Sequence, residues 1–167
     1  MKLAGCALHG RSGHDAGREL LRSLYREQTG KELPPIHVTK RGKPYLSDSE
    51  YHFSITHTRK HAFCALSRFP VGIDAEELDR PVRLKAAGRI LSEEELRQFE
   101  KAADPRRALL TFWVLKEAAV KLTGEGLRGI PNDTSFALSD PRVREWDGCL
   151  VAVLTEGDEE GEERYAF

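Results

Sequence analysis

Cysteine is scarce in this sequence: Cys6, Cys64 and Cys149 are the only cysteines among 167 residues. Their odd number, wide spacing and apolar neighbours argue against a disulfide framework and against a zinc site. We therefore expect free, buried thiols. Unpaired cysteines are typical of a reducing compartment, so we also expect a cytoplasmic location.

Long apolar runs and an excess of one charge are also missing. No stretch approaches the roughly 20 apolar residues that a membrane helix needs. Residues 1–8 lack the charged and cleavable layout of a signal peptide. The 26 basic and 27 acidic residues leave a net charge of −1, which argues against bulk nucleic-acid binding. We expect neither a membrane nor a nucleic acid as a partner.

Several familiar catalytic motifs are absent as well. The sequence has no P-loop, no Gly-x-Ser-x-Gly nucleophile elbow and no HExxH zinc motif. Its length fits one domain, or two closely packed halves.

Apolar periodicity predicts an α+β chain. The expected helices cover about residues 15–29, 81–89, 92–103 and 105–123. The expected strands cover about residues 1–8, 36–39, 51–56, 62–67, 71–76, 135–138, 149–155 and 164–167. This order predicts one compact unit made of two similar αβ halves, about residues 1–69 and 70–167, with an interface between them that can host a site.

The strand predicted over residues 71–76 carries charge inside an apolar run. An ionised carboxylate in such a place needs a cation, a hydrogen-bond donor or a shifted pKa. Asp74 and Glu76 share one face of this strand, about 6.6 Å apart at about 3.3 Å rise per residue. Taken alone, the two acids fit an exposed strand face better than a site.

The helix predicted over residues 105–123 also carries charge. Trp113, Glu117 and Lys121 recur at intervals of four residues and form one stripe. Alone, Glu117 and Lys121 would be read as an ordinary surface pair. The helix is nevertheless apolar over most of its circumference, so we expect it to be largely buried.

The two charged segments together suggest a metal site. If strand and helix pack against each other, Asp74, Glu76 and Glu117 can converge on one hard divalent cation. Oxygen ligands favour magnesium or manganese over zinc.

Three polar turns are candidate phosphate contacts. In Thr56-His57-Thr58 the histidine lies between two hydroxyls at a strand end, which suits phosphate oxygens, although an ordinary hairpin rim has the same pattern. Arg11 lies in a polar turn and is a weaker candidate. By itself, Lys43-Pro44 is most simply a turn that carries a cation.

Four segments, in this order and at this spacing, resemble the 4′-phosphopantetheinyl transferases of the surfactin-synthetase-activating type. They are Gly42-Lys43-Pro44, Phe53-Ser54-Ile55-Thr56-His57-Thr58, Gly72-Ile73-Asp74-Ala75-Glu76 and Trp113-Val114-Leu115-Lys116-Glu117-Ala118-Ala119-Val120-Lys121. The resemblance covers about residues 10–138. It implies that family's fold: two αβ halves related by a pseudo-twofold axis, each with a small antiparallel sheet packed on helices, and coenzyme A bound between them.

The resemblance also implies a reaction. Such enzymes transfer 4′-phosphopantetheine from coenzyme A to a serine of an apo acyl or peptidyl carrier protein and release 3′,5′-adenosine diphosphate. Asp74, Glu76 and Glu117 would hold Mg²⁺ or Mn²⁺. Glu117 would also be the general base, and Lys121 would face the pyrophosphate. The residues expected to bind coenzyme A are Arg11, Lys43, Pro44, Thr56, His57, Asp74 and Lys121.

The chain departs from the family pattern at Ala75, where a larger aliphatic residue is usual, at Val114, where a small polar residue is usual, and in two further respects. Threonines flank His57 where serines are usual, which keeps both hydroxyls. The N-terminal half is shorter than in longer relatives, whose extra portion adds basic contacts to coenzyme A; Arg11 and His14 are the expected local substitutes. We expect a monomer. The alternatives are a relative that binds coenzyme A or a carrier protein without chemistry, and a metal-dependent phosphohydrolase.

Overall fold

The structure, a computed structural model, describes residues 1–124 and 134–157 and the backbone of residues 165–166. The helices are α1 (Gly13–Thr29), α2 (Ala87–Ile90), α3 (Glu93–Glu100) and α4 (Pro105–Thr123), with a 3₁₀ turn at Leu84–Ala86. The strands are β1 (Lys2–Ala7), β2 (Ile36–Val38), β3 (Pro44–Leu46), β4 (His52–His57), β5 (His61–Ser67), β6 (Val71–Glu77), β7 (Val143–Trp146), β8 (Cys149–Thr155) and β9 (Tyr165–Ala166).

The first sheet has the strand order β4-β5-β1-β9, and α1 packs against it. The helix begins after Ser12, whose hydroxyl accepts a backbone hydrogen bond from the first turn, and it ends at Gly30 in the left-handed conformation. Leu21 on its inner face packs with Phe53 and Leu66 in one buried cluster. Strands β2 and β3 form a separate hairpin.

The second sheet is antiparallel, with the order β6-β8-β7, and α4 packs against β6 and β8. The helix begins after Asp104, whose carboxylate accepts from a backbone N–H of the first turn, and it ends at Gly124. Phe112 and Leu115 are fully buried and pack in one cluster with Leu150. Burial of α4 agrees with its apolar circumference.

The site lies where the two sheets and α4 meet. β4 of the first sheet runs beside β6 of the second, and the N–H of Ile73 donates to Ser54 Oγ at 3.1 Å. Helix α4 approaches β6 closely at Gly72, where a Cβ would overlap the carbonyl oxygen of Ala118 and the backbone of Leu122. A glycine is therefore required at this crossing.

The α+β class and the small antiparallel sheets agree with the sequence-based expectation. The pseudo-twofold relation between two halves stays a prediction. One strand departs from the expected layout: the prediction is an antiparallel strand of the second half, whereas β9 pairs in parallel with β1 of the first sheet. Residues 164 and 167 of that predicted strand lie outside the described residues.

The prediction of a strand over residues 135–138 is wrong, because side chains of α3 accept hydrogen bonds from the backbone N–H groups of this segment. The N–H of Phe136 donates to Glu95 Oε1 at 3.1 Å, and the N–H of Leu138 donates to Gln98 Oε1 at 2.8 Å. Side chains of a helix thus replace the partner strand. The helix expected over 81–89 is shorter and begins later, as the 3₁₀ turn followed by α2.

Strands β3 and β7 were not predicted. β7 pairs with β8 across a tight turn at Asp147-Gly148, where both residues have positive φ values of 42° and 75°. Asp-Gly between two short strands is a strong hairpin signal, so this strand was predictable.

Two expected absences can be compared with the described residues. Cys6, Cys64 and Cys149 are free, and burial is complete for the last two but partial for Cys6. Over the described part of the chain, no helix is long and apolar enough to cross a membrane.

Candidate active site

Asp74 is the centre of the site. Its side chain is buried in β6, and its Oδ1 accepts from Lys121 Nζ at 2.7 Å and from Thr56 Oγ1 at 3.1 Å. Residues from β4, β6 and α4 therefore form one hydrogen-bonded group. Strand and helix do pack together as the charged segments predicted.

Glu117 lies one turn before Lys121 on α4 and is half-buried. No residue in the described part of the chain makes a hydrogen bond or an ion pair with its carboxylate. Burial raises the pKa of Glu117, and the neighbouring Asp74 carboxylate raises it further; Lys121 and Arg80 offset this in part. The site therefore holds one acid whose charge is incompletely neutralised.

Glu76 is neutralised differently, by an arginine that sequence reasoning missed. Its carboxylate forms an ion pair with Arg80, in the turn that follows the same strand. The guanidinium of Arg80 also lies over the ring of Trp113, 5.8 Å from its centroid. The i,i+4 spacing of Glu76 and Arg80 was visible in the sequence, but the strand ends between them, so spacing alone does not predict contact.

The carboxylates fit a hard divalent cation in type but are not assembled around one position. Within residues 1–124 and 134–157, no group of three or more His, Cys, Asp or Glu is arranged to hold a metal ion. Asp74 is paired with Lys121, and Glu76 with Arg80. The repulsion between Asp74 and Glu117 is the feature that a cation would relieve.

A cleft of about 440 Å³ opens beside the Asp74–Lys121 pair, between α1, β4 and α4. Basic side chains dominate its polar lining: His14, Arg18, Arg41, Lys43, His57 and Lys121. Pro44 and Ile55 contribute apolar wall. A cationic cleft beside a carboxylate cluster suits a ligand with several phosphates.

Lys43 lines the cleft and also links two of the elements that form it. Its ammonium donates to the carbonyl of Leu122 in the last turn of α4. Burial lowers the pKa of Lys43, and Glu156 offsets this in part. The lysine thus joins the β2–β3 hairpin to the C-terminal end of α4, where a cation is favourable.

Two expected ligand residues have other positions. The hydroxyl of Thr56 is directed to Asp74 and not into the cleft. Arg11 does not line the cleft; its guanidinium pairs with Glu19 at 3.0 Å and donates to the carbonyls of Ala7 and Leu8.

Arg18 and Arg41 line the cleft but were not among the expected residues. A signal existed for each. Arg18 follows His14 by four residues on α1, so both side chains project from one face. Arg41 directly precedes the glycine-lysine-proline turn.

Lys116, in the same helix as Lys121, belongs to a different structure. Its ammonium pairs with Glu95 Oε2 at 2.9 Å, and Glu95 is fully buried. Glu95 also accepts from the backbone N–H groups of Ser92 and Phe136 at 2.8 and 3.1 Å. This network attaches α3 to α4 and to the segment that contains Phe136.

A family model described as the 4′-phosphopantetheinyl transferase superfamily matches residues 70–160. The match includes Asp74, Glu76, Glu117 and Lys121. The chain belongs to this superfamily, as the motifs predicted.

Several curated relatives agree with this assignment. The 4′-phosphopantetheinyl transferase psf-1 of Bacillus pumilus is 31% identical over 116 residues, covering 66% of this chain and 49% of the relative. The transferase Sfp of Bacillus subtilis (strain 168) is 31% identical over 123 residues, covering 71% and 54%. The transferase HetI of Nostoc sp. (strain PCC 7120 / SAG 25.82 / UTEX 2576) is 32% identical over 165 residues, covering 85% and 70%. The chain thus spans about half the length of psf-1 and Sfp.

Proposed function

We propose that this protein transfers 4′-phosphopantetheine from coenzyme A to a serine hydroxyl of an apo acyl or peptidyl carrier protein and releases 3′,5′-adenosine diphosphate. The observation that carries the proposal is the position of Glu117, an acid with no partner among the residues that the structure describes, beside the Asp74–Lys121 pair at a cationic cleft. The names of the relatives support the same reaction.

The cleft accounts for binding of coenzyme A. Lys43, His57 and Lys121 would contact its phosphates, with Arg18 and Arg41 as further cations and Pro44 as apolar wall. Asp74 would act at the edge of the cleft, where its carboxylate holds Lys121 in place and accepts a hydrogen bond from Thr56. We leave Arg11 out of this set because it is directed to Glu19.

Glu117 would act as the general base. The serine oxygen of the carrier protein attacks the phosphorus that bears the pantetheine arm, and its proton passes to Glu117 directly or through water. The raised pKa of Glu117 makes it a better proton acceptor than an ordinary glutamate. The nucleophile belongs to the partner, which explains why the chain needs no serine or cysteine of its own.

Lys121 would face the leaving group. The bond from that phosphorus to the oxygen of the adenosine bisphosphate breaks, and the ammonium of Lys121 neutralises the charge left on that oxygen. Asp74, Glu76 and Glu117 are the residues that would hold Mg²⁺ or Mn²⁺, which supplies further positive charge to the pyrophosphate.

The test is to incubate the protein with coenzyme A, Mg²⁺ and an apo carrier protein and to weigh the carrier by intact-mass spectrometry. We expect a mass increase of one phosphopantetheine on the target serine, and none on a carrier whose serine is replaced by alanine. No increase with apo carriers from fatty-acid, polyketide and peptide synthesis would contradict the proposal.

The same reaction separates the alternatives. Release of 3′,5′-adenosine diphosphate without a carrier would indicate a phosphohydrolase. Binding of coenzyme A without any release would indicate a non-catalytic relative.

A further inference from the structure

Arg80 lies beside the carboxylates of the site, and its side chain is partly exposed at the surface. Its guanidinium contacts Glu76 on one side and the ring of Trp113 on the other. It is also close enough to Glu117 to lower that residue's pKa against the effect of burial. It is thus a cation of the protein itself that acts on Glu76 and Glu117, two of the three carboxylates proposed to hold the metal.

The main chain at Arg80 is anchored. The guanidinium of Arg106, at the start of α4, donates to the carbonyl of Arg80 at 2.8 Å and to that of Leu78 at 3.2 Å. The backbone is therefore fixed while the side chain of Arg80 remains 44% exposed. A side chain of this kind can exchange partners without moving the fold.

We propose that Arg80 is a latch that competes with the divalent cation for the Glu76 carboxylate. This inference rests on the proposed function, because that function requires a metal held by Asp74, Glu76 and Glu117. When Arg80 holds Glu76, the metal meets two of its three carboxylates. When the ion pair between Arg80 and Glu76 opens, the guanidinium keeps its contact with the ring of Trp113. The Glu76 carboxylate is then free to bind the metal.

The expected strength of the latch is modest. Glu76 and Arg80 are 19% and 44% exposed, and exposed or half-exposed ion pairs contribute little. Removal of the latch should therefore tighten metal binding about two- to fivefold. Such a difference is measurable and leaves the pair weak enough to open in each catalytic cycle.

The test measures binding of Mn²⁺ to the whole protein without coenzyme A or carrier, by the electron paramagnetic resonance signal of free Mn²⁺. We compare the wild type with Arg80→Met and with Arg83→Met. Arg83 is an exposed arginine three residues further along the same segment, so both variants lose one positive charge. We expect the dissociation constant for Mn²⁺ to fall about two- to fivefold in Arg80→Met and clearly less in Arg83→Met.

A double-mutant cycle with Glu76→Gln identifies the partner. We expect Glu76→Gln to weaken binding of Mn²⁺, and Arg80→Met to have a clearly smaller tightening effect in that background, where its charge acts on Glu117 alone. Equal constants for Arg80→Met and Arg83→Met, a full effect of Arg80→Met without Glu76, or no Mn²⁺ binding by any variant would each overturn the latch.

The latch and the proposed function can fail separately. If the two arginine variants bind Mn²⁺ alike while the wild type modifies a carrier protein, the latch is wrong and the function stands. If Arg80→Met tightens binding but no carrier is modified, the metal site and its latch stand and the proposed reaction fails.

Discussion

Helix α4 carries two lysines that each pair with a buried carboxylate, but the surroundings of the two pairs differ. Lys116 pairs with Glu95, which is fully buried and also accepts two backbone hydrogen bonds. Lys121 pairs with Asp74 at the cleft, and Glu117 next to it has no such partner within residues 1–124 and 134–157. Around Lys116, every charge has a hydrogen-bond partner. Around Lys121, Asp74 has partners, whereas the Glu117 carboxylate has none among the described residues.

This difference separates a structural group from a reactive one. A buried charge with all its hydrogen bonds made holds elements together and offers nothing to a ligand. An acid left beside a like charge can take a proton or a metal ion without breaking the fold. Three predictions follow from the comparison, beginning with the largest effect.

The first concerns the unpaired acid. Glu117→Gln should lower the rate of phosphopantetheine transfer about 10²- to 10⁴-fold, because a glutamine amide accepts no proton and is a poor metal ligand. Its stability should be equal to or above that of the wild type, since a desolvated charge is removed.

The measurements are carrier mass against time and urea unfolding. Glu100→Gln, at the exposed end of α3, is the matched control and should transfer at the wild-type rate. Undiminished transfer by Glu117→Gln would remove Glu117 as the base.

The second prediction compares the two lysines by stability. Lys116→Met leaves the fully buried Glu95 without its cation and should cost about 3–5 kcal/mol of unfolding free energy. Lys121→Met should cost only about 1–2 kcal/mol, because Asp74 keeps the hydroxyl of Thr56 and the cleft admits water.

Urea unfolding of both variants checks this order. Adding Glu95→Gln to Lys116→Met should recover part of the loss, since a neutral amide oxygen can still accept from the backbone. Equal losses of unfolding free energy in Lys116→Met and Lys121→Met would contradict the prediction that the Lys116–Glu95 pair matters more for stability.

The third and smallest effect is a dependence of stability on pH. Because the pKa of Glu117 is raised above its ordinary value of 4.5, the folded state binds more protons than the unfolded state above that pH. The contribution of Glu117 to stability should therefore fall as the pH rises from about 4.5 through the raised pKa.

The measurement is the difference in unfolding free energy between the wild type and Glu117→Gln across this range, with a chelator present to exclude metal. The variant shares every other titrating group, so the difference isolates Glu117. A difference that is flat, or that rises in favour of the wild type with pH, would contradict the raised pKa.

Much of the fold followed from local signals. The cap at Asp104-Pro105 and the glycine at 124 predicted the limits of α4 closely, because helix termini need specific donors and acceptors. The segment 135–138 was missed because its hydrogen-bond partners, Glu95 and Gln98, lie about 40 positions earlier in the chain.

The site shows the same division. Alternation and helical spacing placed Asp74, Glu117 and Lys121 correctly on their elements. Neither pattern could show that the hydroxyl of Thr56 is directed to Asp74, or that Arg11 is directed to Glu19, because both depend on how elements pack.

The sequence by itself determined most of the helices and strands of this protein, the residues that bear charge within them, and membership of its superfamily through four ordered motifs. The tertiary structure alone decided which carboxylate has a partner and which does not. The physical reason is that hydrogen-bond spacing along a helix or strand is local, whereas pairing a buried charge depends on the donors that other elements bring to it.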